Sequence, residues 1–523
     1  MNRRQIQQQE WTRRQWIFSG ASLAVLPWLA QRSTAVGVLR NPRFAENPFT
    51  LGVASGDPTS DGVVLWTRLA PDPLQGGGLS ADNIEVRWEL AADEGFRKIV
   101  QSGVETAASA LGQSVHVEVS GLQPDSWYWF RFLCGDAVSR SGRTRTMPAA
   151  DSLPARLKMC FASCQHYETG LFTAYEHMAQ EHPDLVLHLG DYIYEYEGKD
   201  NRVRKHAGPE ITTLEHYRNR YAQYRLDPQL QTMHAVCPWL VVWDDHEFDN
   251  NCAGAVSEEA GVDPQQFLLR RANAYQAYYE NMPLRKPAMP SGPDMRLYRT
   301  IDFGRLARIE MLDTRQYRSD QPNGDGLKPL SGAALDAGTT MLGDQQEQWL
   351  LQELSSSHAR WNILGQQVMM ARVDRVPGAD QKFSMDQWSG YETARNRLLS
   401  EIVSRKISNP IVLTGDIHSN WVNDLLLDFG RPQDAAVATE FVCTSISSGG
   451  NGTQKATGHA LLMSENPFVK FQNSERGYVS CEVTPREWRS RYQVVEYVDR
   501  PGAPLITRSA WAVENGRAGA RQI

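Results

Sequence analysis

A chain of 523 residues is too long for one simple core, and at 41% apolar against 22% charged residues it is a folded protein rather than a disordered one. The formal net charge of −7, from 61 acidic and 54 basic residues, excludes a dedicated nucleic-acid binder, which would carry a basic excess. Seven scattered cysteines exclude a small disulfide scaffold; with one set aside as a metal ligand, the rest are free to pair in an oxidising compartment, with the connectivity open.

The N-terminus reads Thr12-Arg13-Arg14-Gln15-Trp16-Ile17-Phe18 and continues as a mostly apolar stretch to Ala30. That stretch is shorter than the roughly 20 apolar residues a membrane span needs. Paired arginines ahead of it look like a twin-arginine export signal over 1–35, with cleavage after Ala30 or Ala35. The match is imperfect at Trp16 and Phe18, and the alternative is an amphipathic or anchoring segment. Export by the twin-arginine translocation machinery implies a periplasmic or secreted protein whose mature chain has no transmembrane span, folded and metal-loaded before it leaves.

From 44 to 148 the pattern is β. Val63–Thr67 is a short apolar run, and Ile84–Leu90 and Val115–Val119 alternate apolar and polar residues as half-buried strands do. A turn at Gly121–Asp125 leads into Trp127–Phe132 through Leu122-x-Pro124-x-x-Trp127-Tyr128, which resembles fibronectin type III architecture. A smaller all-β sandwich is therefore expected here.

After a linker at 146–151 strands alternate with helices, which predicts an α/β layered domain over 152–500. Leu157–Ala162 and Leu185–Leu189 read as strands around a helix over Gly170–Glu181. Leu240–Trp243, Trp361–Val368 and Ile411–Thr414 read as further strands, and Tyr391–Arg405 as a helix. Asp344-x-x-Glu347 resembles a capping box opening another helix. Strands return at Thr439–Ile446, Tyr478–Val483 and Arg489–Val498, and 501–523 reads as a loosely docked tail.

Polar clusters follow four of these strands: Ser163-Cys164-Gln165-His166, Gly190-Asp191-Tyr192-Ile193-Tyr194-Glu195, Asp244-Asp245-His246-Glu247-Phe248-Asp249-Asn250 and Gly415-Asp416-Ile417-His418. The C-terminal edge of an α/β sheet is where such folds place their sites. Each cluster alone is weak, because Asp and Gly favour turns for backbone reasons. Four in series bring carboxylate, imidazole and thiol donors to one edge, and carboxylates gathered out of water call for cations.

Gly190-Asp191, Asp245-His246-Glu247 and Gly415-Asp416-Ile417-His418 resemble the calcineurin-like metallophosphoesterase signature. Cys164 in the first block and Asp416 in the last depart from it in the manner of the alkaline phosphatase D (PhoD-like) family, which the run Asn47–Pro58 also resembles. The resemblance implies a four-layer α/β/β/α metallophosphoesterase sandwich after the β-sandwich. It implies a ferric site at Cys164, Asp191, Tyr194 and His418, with Asp191 bridging to calcium held by Asp245 and Asp416 and with Asn250 in the calcium region. Fe3+ and Ca2+ are thus the expected cofactors, and a metal-bound hydroxide attacking phosphorus in line the expected reaction. His246 is the candidate to bind phosphate or protonate the leaving group, with His166 a weaker one. Arg218, Arg220 and Arg315 are candidate phosphate contacts. Ser447–Gly452 lacks a nucleotide-loop lysine and reads as a rim or turn.

The expected activity is alkaline phosphatase or phosphodiesterase chemistry on small phosphate esters. A phospholipase D-type diesterase acting on phospholipid head groups is the near alternative. An exported iron oxidoreductase and a non-catalytic surface-binding protein are the more distant ones.

Overall fold

The computed structural model describes residues 37–376, 378 and 380–523; the expected export signal over 1–35 lies outside the described residues. Two large sheets stack face to face. The first has ten strands, in the order 521–522, 505–514, 487–495, 476–483, 157–162, 185–188, 239–241, 53–56, 63–68, 114–119. The second has seven, in the order 299–303, 307–311, 361–366, 410–414, 438–442, 420–425, 469–473. In the middle of each the strands run parallel: Ala162, His188 and Val241 are in register in the first sheet, and Gln366 and Thr414 in the second. Strands buried on both faces need apolar side chains on both, so Leu157–Ala162 and Pro410–Thr414 are nearly continuous apolar runs rather than alternating ones.

Between the sheets Met159, Phe161, Leu187, Ile363, Ile411 and Leu413 share one core, and Trp361 meets Trp488 at 6.0 Å between ring centres. Helices Thr173–Gln180 and Pro228–Val236 lie on the ten-stranded sheet, where Tyr175 packs on Trp239 at 5.9 Å. Helices Gly343–Ser356 and Glu392–Ser404 cover the other sheet, burying Leu350, Leu354, Leu398 and Ile402 against Val412. This is the expected α/β/β/α arrangement.

The β-region before residue 148 is built differently from a separately closed sandwich. Six strands, among them Asn83–Ala91 and Trp127–Cys134, form one sheet. The opposing layer, Val53–Gly56, Val63–Arg68 and Ser114–Val119, extends the ten-stranded sheet through the pairing of Gly56 with Trp239. Val53, Leu65, Ile84, Val86, Phe130 and Phe132 fill the space between. The tail expected after residue 500 is instead strand: Leu505–Glu514 pairs along its length with Glu487–Val495, and Trp511 and Val513 are buried.

The helix beginning at Gly343 has no capping box. Its N-cap is Leu342 without a side-chain bond, and Glu347 reaches across to the guanidinium of Arg397 at 2.7 Å. Helix Pro228–Val236 is capped in the ordinary way, with Asp227 accepting from the backbone of Gln229 and Leu230 and proline at the first turn. All seven cysteines are free thiols and buried, so the disulfides left open by the sequence do not form here.

Candidate metal centre

The parallel strands of both sheets deliver their C-terminal ends to one edge. Leu157–Ala162 leads to Cys164, Leu185–His188 to Asp191, Trp239–Val241 to Asp244 and Asp245, and Pro410–Thr414 to Asp416 and His418. Donor atoms from three sets of residues converge within 4.8 Å of one another: Cys164, Asp191 and His418; Asp191, Asp245 and His246; and Asp244, Asp245 and Asp416. Asp191 and Asp245 each belong to two of these sets, and Asp191 is the residue that links the set holding Cys164 and His418 to the others. Tyr194 joins the first through its hydroxyl, 2.7 Å from Asp191 Oδ2 and 3.2 Å from His418 Nε2.

The backbone at these candidate ligands is strained. Cys164, Asp191, Asp416 and His418 have φ of 60°, 56°, 64° and 54°, the left-handed region that costs a non-glycine residue about 1–3 kcal/mol. Four such residues on three loops aim their side chains inward from sharp turns. The turns are held by Glu247, whose carboxylate accepts backbone N–H groups from Asp191 at 3.0 Å, Asp244 at 2.8 Å and Tyr192. Arg220 and Arg476 brace the same loops from their carbonyls, at Tyr194 and Tyr196 and at His418 and Gly450 respectively. Ser448 accepts from the His166 amide, donates to the Cys164 carbonyl at 2.8 Å and lies 2.7 Å from the Tyr194 hydroxyl.

The donor set fits cations. Asp191 Oδ1 and Asp244 Oδ2 are buried without a hydrogen-bond partner, which a carboxylate tolerates poorly unless an ion supplies the missing charge. Burial, reinforced by the charge of Asp191, pushes the Cys164 thiol and the Tyr194 phenol well above their ordinary values. Burial also pushes Asp416 up to about 7 against the pull of Arg315, with Asp386 and Asp245 adding to the rise. A cation at this point favours the deprotonated ligand in each case and reverses these shifts. Cys164, Asp191, Tyr194 and His418 together offer thiolate, carboxylate, phenolate and imidazole, whereas Asp244, Asp245 and Asp416 offer oxygen alone.

His246 is paired through Nδ1 with Glu195 Oε2 at 2.8 Å and packs on the Tyr194 ring at 4.1 Å between centres. Burial disfavours its charged form, but Glu195, Asp245 and Asp191 outweigh burial and raise its pKa well above the ordinary value.

Two arginine assignments need correction. Arg218 is held by the buried Glu280, with Nε 2.7 Å from Oε2, and does not reach the cluster. Arg315 does reach it but is 1% exposed and fully engaged: it donates to Asp244, to both oxygens of Asp386 at 3.0 Å and to Asp416 at 3.2 Å. It is a buried counter-cation for the carboxylates rather than a free phosphate contact. The Asn250 side-chain amide donates to Glu258 at 2.6 Å and its backbone N–H to Glu195. The sequence reading passed over Asp244, Glu195, Glu247, Asp386 and Ser448. The first three stand inside motifs already singled out and Ser448 inside the segment read as a rim or turn, while Asp386 has no local signal.

The PhoD-like phosphatase family matches residues 159–492, and the PhoD-like phosphatase N-terminal domain matches residues 33–148. The chain is 49% identical over 510 residues to alkaline phosphatase D of Bacillus subtilis (strain 168), covering 97% of this chain and 87% of that protein. A solved structure described as that of PhoD superposes with a TM-score of 0.90 at 49% identity, covering 92% of this chain and 93% of that one. Purple acid phosphatase 13 of Arabidopsis thaliana is 35% identical over 85 residues, 15% of each chain.

Proposed function

Because this chain belongs to the PhoD-like phosphatase family and so is a phosphoric ester hydrolase, we propose that it is a metal-dependent phosphomonoesterase or phosphodiesterase working outside the cytoplasm. The observation that carries the reading is the meeting of Cys164, Asp191 and His418 from three separate loops, with one Asp191 oxygen buried and unpartnered.

In this reading Cys164, Asp191, Tyr194 and His418 hold a ferric ion, and Asp245 and Asp416, with Asp244 beside them, hold calcium; thiolate and phenolate suit the trivalent ion, and oxygen donors the hard divalent one. When bound, such ions supply Lewis acidity and an activated water for in-line displacement at phosphorus. The chain supplies the rest. His246, oriented through Nδ1 by Glu195, is the group placed to give a proton to the departing ester oxygen. Arg315 keeps Asp244, Asp386 and Asp416 from repelling one another before the ions arrive. His418, with its side chain about a third exposed, marks the side from which an ester enters. No step requires a covalent enzyme intermediate, so Cys164 is a ligand and not a nucleophile.

Export through the twin-arginine route rests on Arg13 and Arg14, which lie outside the described residues. Among the described residues no helix is long and apolar enough to cross a membrane. The test is metal analysis of the exported protein combined with turnover of an aryl monoester, an aryl diester and phosphatidylcholine. Cleavage of the lipid alone makes the activity that of a phospholipase D-type diesterase. No turnover of any of the three by metal-replete protein overturns the reading.

A further inference from the structure

A phosphoryl group is bound most specifically by a guanidinium whose N–H groups are not already spent. The arginines around this centre are nearly all spent. Arg315 is bound by three carboxylates. Arg318 is held by Asp386 at 2.7 Å and by the carbonyls of Asn251 and Cys252, and Arg220 and Arg476 hold loop carbonyls.

Arg375 differs. Among the described residues its guanidinium has no hydrogen-bond or ion-pair partner, and it is half-buried, with Cζ 5.9 Å from the centre of the Trp421 ring. That ring belongs to the strand leaving the His418 turn and is tied to it, Trp421 Nε1 donating to Ser419 Oγ at 2.8 Å. The base of the Arg375 loop is clamped. Asp374 Oδ1 accepts the backbone N–H groups of Val376 at 3.0 Å and Lys382 at 3.1 Å, and the Arg375 N–H donates to the Lys382 carbonyl at 2.9 Å. Asn466 holds Asp374 from behind through both its backbone groups. The ionisable group whose charge Arg375 feels is Asp416, a ligand of the proposed calcium site; that charge opposes the loss of its proton on burial. A half-buried guanidinium stacked on Trp421, without a carboxylate of its own, keeps its N–H groups available for an anion. Arg202 is also without a partner near His166, but it is exposed rather than half-buried.

We propose that Arg375 is the arginine that contacts substrate in this enzyme, receiving phosphoryl oxygens of the ester bound over Asp416. The proposal rests on the phosphoesterase reading of the same site. It is tested on metal-replete full-length protein with Arg375→Gln and Arg375→Lys, measuring kcat/KM on an aryl phosphate ester and, separately, the affinity for inorganic phosphate by calorimetry. The expected result is a loss of about ten- to a hundred-fold in both for Arg375→Gln, the worth of one charged hydrogen-bonding partner. Partial recovery is expected in Arg375→Lys, which restores charge without the planar fork. Metal content and melting temperature stay at the wild-type values. Wild-type turnover with an unchanged Arg375→Gln overturns the role of Arg375 and leaves the enzyme reading intact. Phosphate binding that depends on Arg375 in a protein that turns over no ester does the reverse, and a wild-type protein that neither binds phosphate nor turns over ester overturns both.

Discussion

Asp191 Oδ2 accepts the Tyr194 hydroxyl at 2.7 Å while Asp191 Oδ1, on the same carboxylate, is buried with no partner at all. A carboxylate with one oxygen satisfied and the other bare, at a left-handed backbone position, is held open for something positively charged. Asp191→Asn keeps the shape and removes the charge shared by two donor sets. Turnover of phosphate esters is expected to fall by more than about a thousand-fold, since the residues of such a unit fail together. Bound metal should fall with it, measured by elemental analysis on the same preparation, with the far-ultraviolet spectrum unchanged.

Colour is the second expectation. Phenolate and thiolate donors on a ferric ion absorb visible light by ligand-to-metal charge transfer, so the proposed ligands Tyr194 and Cys164 should each contribute to a visible band. Tyr194→Phe and Cys164→Ser are expected to lose different parts of the band, recorded by absorption spectroscopy on iron-loaded protein. A colourless, fully active protein containing only zinc would remove the iron assignment.

Glu247 carries a prediction that the sequence motif contains but does not explain. Its carboxylate gathers the N–H groups of Asp191, Tyr192 and Asp244, which joins the loops after two neighbouring strands. Glu247→Gln keeps one good acceptor and introduces an amide N–H facing other donors. The expected cost is about 1–3 kcal/mol of stability, seen as a lowered urea midpoint. Metal affinity should weaken by about ten- to a hundred-fold, because the ligands lose their support.

These cases show what was legible in the chain and what was not. The candidate ligands lie in short motifs at strand ends, where strand period and turn chemistry place a residue without knowledge of its distant neighbours. Cys164, Asp191 and His418 were read in this way, and they meet. The arginines failed for the opposite reason. What Arg218 and Arg315 bind is decided by Glu280 and Asp386, 62 and 71 residues away, and nothing local announces either pairing. The strand at Leu505–Glu514 is not legible locally because it is an outer strand of mixed, partly polar composition without regular alternation, whose partner has to be known first.

A pH prediction comes from a histidine remote from the metal ligands. His116 is buried against Tyr279, its Nε2 facing the carbonyls of Tyr279 and Met282, and burial lowers its pKa from 6.5 to about 4 despite those carbonyls. A folded pKa below the unfolded one means that the unfolded chain takes up the proton first. The stabilisation is therefore present above pH 6.5 and is lost as pH falls from 6.5 through about 4. Between pH 7.5 and 5 the loss from this group is about 2 kcal/mol. Urea unfolding at the two pH values should show a smaller acid destabilisation in His116→Gln than in the wild-type protein. An equal one would mean that His116 is not held neutral.

The last prediction separates backbone strain from steric overlap at the centre. Gly190 has φ +106°, and a Cβ there would lie 2.3 Å from the Asp244 Cβ and 2.6 Å from the Asp244 amide nitrogen. The two strand ends approach this closely because Asp191 and Asp244 must share Glu247, so neither loop can back away without breaking that carboxylate's bonds. Gly208 has φ +82° with nothing within 4 Å of the same position. Gly208→Ala is therefore expected to cost only the left-handed backbone penalty, about 1–2 kcal/mol, with activity and metal content retained. Gly190→Ala bears that penalty plus an overlap with backbone, about 1–3 kcal/mol more, and pushes Asp191 and Asp244 apart. Its melting temperature should fall further than that of Gly208→Ala, and its metal content should fall with it. Equal losses in the two variants, with metal retained in both, would show that the close approach of the two loops is not what sets the ligands.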